Sequence, residues 1–372
     1  MPLFADILGQ TLALTSLRQA LAHGASHAYL FAGPAGVGKS DTALAFAAGL
    51  ACPDRGCGAC ETCRRVLEGL HPDVEIVSPE GAFITIDQIR EINREVVMRP
   101  FEASVRVYVL LDAHTLKNEA ANALLKTLEE PPPHAHFILV TDSPQALPQT
   151  VVSRCRRVLF TSVASPVLAA HLVAAYGLSE VEALAFARVA HGSPVHARAL
   201  ATDPGARSQR ERLLGWARSV GEAGAFDAHV MLTEIMDSVE RRADERVKLL
   251  EDDTAARLQW APDARTRARI EKLHEDRVKR GRRRAVTEGL DEVTATFATW
   301  HRDLAAVAVG AEEAVFNYDF LFELRDRAFP GLVDQYMEVV EAVKRTRERF
   351  RYNVDARCAL EEMIFSIREA LQ

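Results

Sequence analysis

Nowhere in its 372 residues does the chain carry an apolar run near the roughly 20 residues that cross a bilayer. The sequence therefore predicts no membrane partner. The opening residues, Met1 to Asp6, lack a basic stretch followed by a long apolar core. No secretory signal is expected, and a cytoplasmic location is, where disulfides are disfavoured. An excess of positive charge is missing as well. The net charge of −7 argues against a generally basic nucleic-acid coat, while leaving local patches open. There is no internal repeat, and strand-like patterns cease after about residue 163. At this length the chain has room for two or three domains.

Cysteine is nearly absent outside one segment. Four of the six, Cys52, Cys57, Cys60 and Cys63, lie within twelve residues as C-x4-C-x2-C-x2-C. In a reducing compartment this spacing predicts one tetrahedral zinc held by four thiolates. Thiolate fills every position, so no place is left for a reactive water, and the zinc is expected to be structural. Cys155 and Cys358 stand alone and read as ordinary cysteines.

The strongest positive feature is Gly33-Pro34-Ala35-Gly36-Val37-Gly38-Lys39-Ser40, a G-x-x-x-x-G-K-S run. It follows the apolar segment Ala28–Ala32 and precedes a helical pattern, the context a phosphate-binding loop needs. Glycines let successive backbone N–H groups turn toward a phosphate, and the helix N-terminus adds partial positive charge. Lys39 is expected to reach the outer phosphates of ATP or ADP, and Ser40 to bind Mg²⁺. A metal-side carboxylate should stand at the end of a second buried strand. Val105–Leu111 followed by Asp112 fits. Position 113, where a water-polarising Glu is common, is Ala113; His114 follows. The sequence thus predicts nucleotide binding with inefficient hydrolysis.

Strand-like runs at Ala28–Ala32, Asp73–Val77, Val105–Leu111, His136–Val140 and Arg157–Phe160 alternate with helical patterns at Asp87–Val97 and Asn118–Glu129. That is an α/β layer pattern. Short helices follow at Pro166–Tyr176 and Ser179–Ala190, and longer amphipathic helices from about 207. The tract 265–284 holds ten Lys/Arg against three acids and no aromatics, so it reads as an exposed or mobile excursion with a secondary electrostatic role.

Further motifs carry a family resemblance. Phe4–Gln10, His27–Phe31, the four-cysteine module, Asn122–Pro132, Ser153-Arg154-Cys155, and Gly192-Ser193-Pro194 leading to Arg198 occur in order. With them the chain resembles the clamp-loader subunits of bacterial DNA polymerase III, an AAA+ family, and most closely the delta-prime type. The likeness is strong over residues 1–200 and weaker beyond, where Trp300–Leu304 and Asn353–Leu360 still look familiar.

The resemblance implies a RecA-like AAA+ domain (1–162), a small helical lid (163–206) and a helical collar (207–372). It implies a hetero-pentameric ring with gamma/tau ATPase subunits and delta, acting on a sliding clamp and primer-template DNA. In that setting Arg154 is an arginine finger acting in trans on a neighbour's ATP. Arg198 senses nucleotide in cis, and Thr141 occupies the sensor 1 position. Ala113, and a length without the tau extension, favour delta-prime. The alternatives are an active gamma-type ATPase motor, and a DNA-binding AAA+ module outside the loader.

Overall fold

The computed structural model describes residues 2–79, 83–259, 264–351 and 354–371. By contacts the chain divides into two units, Met1–His171 with Ala190–Arg198, and Leu172–Val189 with Ala199–Gln372. Among the described residues no helix is long and apolar enough to cross a membrane.

The first unit is built on five strands: β1 (Ala28–Ala32), β2 (Val74–Val77), β3 (Arg106–Leu110), β4 (Ala135–Thr141) and β5 (Arg156–Leu159). They pair in parallel in the order β2-β3-β4-β1-β5. A parallel sheet is covered on both faces, which is why β1 and most of β3 and β4 are continuous buried runs. One face packs on α1 (Thr11–His23), α2 (Lys39–Ala51) and α3 (Glu61–Leu67), with Phe31, Phe46, Val107 and Val109 at its centre. The other packs on α4 (Ile86–Glu95), α5 (Asn118–Glu129) and α6 (Gln149–Val152), around Leu110, Leu124, Phe137 and Leu139. Helix α5 buries Ala120, Leu124 and Leu128, one residue per turn, and stops where Pro131–Pro133 cannot continue it. Helix α4 starts from a capping box in which Thr85 and Gln88 bond each other's backbone N–H.

The loop before β3 is tied down by one buried acid. Asp73, 1% exposed, accepts N–H bonds from Phe101, Glu102 and Ala103 at 2.6, 2.8 and 2.8 Å. Burial alone would raise its carboxyl, but the three donors outweigh burial and hold it below its ordinary value of 3.8. The group binds protons more weakly folded than unfolded. Its contribution is therefore complete above the unfolded value near 4 and lost as pH falls through the lower folded value. Asp73→Asn should cost about 1–3 kcal/mol at neutral pH and flatten the acid limb of a stability-versus-pH curve, read by urea unfolding. An unchanged acid limb would show that Asp73 does not carry it.

After β5 come α7 (Ser165–Tyr176), α8 (Glu180–Val189) and α9 (Pro194–Thr202). Then follow α10 (Pro204–Ser219), α11 (Ala225–Gln259), α12 (Ala264–Ala308), α13 (Leu321–Arg327), α14 (Val333–Arg351) and α15 (Ala356–Leu371). The second unit's core holds Phe297, Trp300, Val339 and Ile364. The segment Trp300–Leu304 is structural. Trp300 and His301 are buried, and Asp303 accepts N–H bonds from Phe316 and Asn317 at 2.9 and 2.8 Å. Asn353 lies outside the described residues.

The backbone of the tract 265–284 is helical and belongs to the 45-residue helix α12, which packs along α11. Arg282 bridges Glu240 and Asp244 of α11, and Arg267, Lys279, Arg283 and Arg284 are exposed. The side chains of Arg265, Arg269, Lys272, Arg277 and Arg280 lie outside the described part. The helix forms because its basic residues are good helix formers and Arg282 meets acids on its partner.

Candidate functional site

The phosphate loop, 33–40, joins β1 to α2 at the carboxyl end of the sheet. Gly38, at φ 89°, is the residue before α2, and Gly36 is at φ 71°. Both lie in the left-handed region that a side chain resists. Gly36 has a second constraint: a Cβ there would meet the Ser193 Oγ at 2.1 Å. Ser193 instead donates to the Gly36 carbonyl at 3.0 Å, across 157 positions of sequence. The Gly192-Ser193-Pro194 turn is thereby fixed against the middle of the loop.

Lys39 is only 7% exposed, and its Nζ donates to the carbonyls of Gly33 and Pro34 at 2.8 and 2.5 Å. Burial lowers its pKa, while Asp142 and Asp112 oppose that shift. The ammonium thus stands at the loop's mouth with two carboxylates near it. Ser40, the next residue, is exposed. Thr141, ending β4, is buried, accepts the Gly33 N–H through its carbonyl at 3.3 Å, and puts its Oγ1 3.3 Å from His114 Nδ1. The same nitrogen lies 3.3 Å from Asp142 Oδ1. Thr141, His114, Asp142 and Lys39 therefore share one end of the sheet, although only Asp142 gives no sequence signal beyond a polar strand end.

The third strand divides its side chains in a way that the motif alone does not reveal. Leu111 packs with the cluster that holds Val107, Val109 and Phe46. Asp112 stands at φ 49°, a left-handed turn that ends the strand's alternation. Ala113 is fully buried in the opposite cluster with Leu110, Leu116 and Leu139. The two-residue period of a strand already carries this information: 107, 109 and 111 share one face.

Arg154 lies between α6 and β5. Val151, Val152 and Cys155 anchor its backbone in the core, and burial pushes the Cys155 thiol up to about 12. The Arg154 side chain is 34% exposed, donates to the Thr150 carbonyl at 2.9 Å and pairs with Glu129 at the end of α5. Arg198, on α9, is exposed.

Cys52 at the end of α2, Cys57, and Cys60 and Cys63 at the start of α3 form the one possible metal cluster among the described residues, with all four sulfurs within 4.8 Å of one another. Cys52 Sγ lies 3.8 Å from Cys57 and 3.7 Å from Cys60. Zinc–sulfur bonds of about 2.3 Å in a tetrahedron put the sulfurs about 3.8 Å apart. The N–H groups of Cys60 and Cys63 point at Cys57 and Cys60 sulfurs, at 3.3 and 3.4 Å, and would support thiolate charge. The donor set fits zinc.

Residues 9–164 match the family described as DNA polymerase III, delta subunit. Over 347 residues the chain is 26% identical to DNA polymerase III subunit delta' of Bacillus subtilis, covering 92% of this chain and 91% of that one. It is 39% identical over 170 residues to subunit tau of B. subtilis, covering 44% of this chain and 30% of tau. It is 40% identical over 158 residues to subunit tau of Escherichia coli, covering 41% of this chain and 24% of tau. The chain thus spans less than a third of these tau proteins. The parallel sheet, the phosphate-loop motif between β1 and α2, the family match over residues 9–164 and the similarity along nearly the whole of a delta' subunit give one conclusion: the chain is a homologue of the clamp-loader subunits of DNA polymerase III.

Proposed function

We propose that this chain is the delta-prime-type subunit of a clamp loader, a hetero-pentameric ring with gamma/tau and delta subunits that loads a sliding clamp onto primer-template DNA in the cytoplasm. In this role it holds ATP or ADP with Mg²⁺ but hydrolyses it poorly, and it supplies Arg154 to the ATP of a neighbour. The three-part division, with a lid over 163–206 and Arg198 and Thr141 as nucleotide sensors, belongs to the same reading. Gly33–Ser40 would wrap the phosphates, Lys39 would neutralise them, and Ser40 with Asp112 or Asp142 would hold the metal. Arginine suits the trans role because its fork of donors fits phosphate oxygens.

The observation that carries the reading is the contrast between two groups. Arg154 stands on a backbone fixed in the core with its guanidinium partly in solvent. At position 113, where a water-polarising Glu is common, this chain has alanine. The isolated chain should therefore bind ATP, lose that binding on Lys39→Ala, and turn ATP over far more slowly than a complete ATPase. Equilibrium binding with labelled nucleotide and single-turnover hydrolysis measure the two. A robust steady-state ATPase in the pure chain, abolished by Lys39→Ala, would establish the gamma-type motor instead.

A further inference from the structure

We propose that Glu129 is a positioning residue for Arg154, holding its guanidinium in the orientation that meets a neighbouring subunit's ATP. The inference rests on the reading of Arg154 as a finger in trans. Arg154 reaches outward from a short turn between α6 and β5, and a long side chain leaving a surface has many rotamers. Two contacts remove most of them. One terminal nitrogen donates to the Thr150 carbonyl at 2.9 Å, and the other donates to Glu129. Glu129 is the last residue of α5, two positions before the Pro131–Pro133 run, and the same helix buries Leu124 and Leu128 in the core that holds Val151, Val152 and Cys155. The carboxylate and the finger thus stand on one rigid body.

Stability does not account for the pair. Its side chains are 49% and 34% exposed, and ion pairs so exposed to water contribute little to folding. Orientation does account for it. The Thr150 carbonyl and, at 3.5 Å, the Ser153 Oγ engage one terminal nitrogen and Glu129 engages the other, which leaves two of the five guanidinium N–H donors for a phosphate. Glu129 thereby lowers the ordering that Arg154 must undergo when it meets phosphate, the kind of alignment on which a transferring group depends.

The test uses the reconstituted loader with clamp and primed DNA, and three variants of this chain: Glu129→Ala, Glu129→Gln and Arg154→Ala. Glu129→Ala should lower the stimulated ATPase kcat by about tenfold. The KM for ATP, the melting temperature of the chain and ring assembly should stay at wild-type values. Glu129→Gln keeps an acceptor oxygen in place and should retain most of the rate. On the Arg154→Ala background, Glu129→Ala should add nothing. A wild-type or raised rate in Glu129→Ala, beside a loss in Arg154→Ala, would overturn the positioning role and leave the finger standing. A further loss on the Arg154→Ala background would also overturn it. No loss in Arg154→Ala would overturn both readings together.

Discussion

Stripping metal from the reduced chain should release one zinc and unfold the segment between α2 and α3. The sulfurs of Cys52, Cys57, Cys60 and Cys63 already stand at the spacing of a tetrahedral thiolate site, within 4.8 Å of one another. The short stretch between the helices has little apolar content to order itself, and contains Arg55 at φ 54° between Pro53-Asp54 and Gly56. In such a module the binding free energy of the metal is local folding free energy, about 10–16 kcal/mol in small zinc peptides. Cys60→Ser would remove one thiolate ligand while its hydroxyl keeps an N-cap acceptor for the Cys63 N–H at the start of α3, so the loss reads on the metal site. It should lower the melting temperature and open 52–63 to protease. The damage should reach the nucleotide site. Cys52 directly follows α2, and that 13-residue helix begins with Lys39 about 20 Å away. Cys52 and Cys63 also sit in the same core as Phe46 and Val37. Weaker ATP binding is therefore expected alongside lost stability. Metal analysis that finds no stoichiometric zinc in reduced native protein would contradict this.

The sequence shows most clearly those features whose cause is local. The boundaries of β1 and α5 coincide with the apolar run and the Pro131 stop that predict them. The phosphate loop and the cysteine cluster are legible because every residue of each lies within about a turn or two of chain. Strand ends elsewhere move by a residue or two, as with β2 and β3, where the expected ends are not part of the ladder. What depends on distant partners was not legible. The bond from Ser193 to Gly36 joins residues 157 apart. Asp142 gains meaning only once β4 is placed beside the loop that holds Lys39. The partner of Arg154, Glu129, is visible only after α5 and α6 pack on one core. Ala113 is legible as a residue type, while its burial in the core with Leu110 and Leu116 is visible only in the fold. The exposure expected of the basic tract holds for Arg267, Lys279, Arg283 and Arg284, while the acids of α11 that meet Arg282 are visible only once the two helices pack.

The central claim is a division of labour between two cationic side chains, and the reconstituted ring tests it directly. As phosphoryl transfer proceeds, charge builds on the γ-phosphate oxygens, and a correctly placed arginine from a neighbour stabilises it, an effect worth about 10³–10⁵ in rate at the site it serves. Arg154 has the means: a planar fork of donors, a backbone fixed by Val151, Val152 and Cys155, and a partly exposed guanidinium. Supplying it from another chain makes hydrolysis depend on correct assembly. Lys39 would act at this chain's own phosphate loop, where position 113 is alanine and supplies no water-polarising Glu, so its loss should matter far less to turnover by the ring. Arg154→Lys should not rescue, because a single ammonium cannot reproduce the fork. The measurement is the clamp- and DNA-stimulated ATPase of assembled complexes carrying Arg154→Ala or Lys39→Ala in this chain alone, with assembly checked by sedimentation. The account predicts intact rings in both, a large fall in kcat for Arg154→Ala and a small one for Lys39→Ala; equal falls from the two, or no fall from Arg154→Ala, would contradict it.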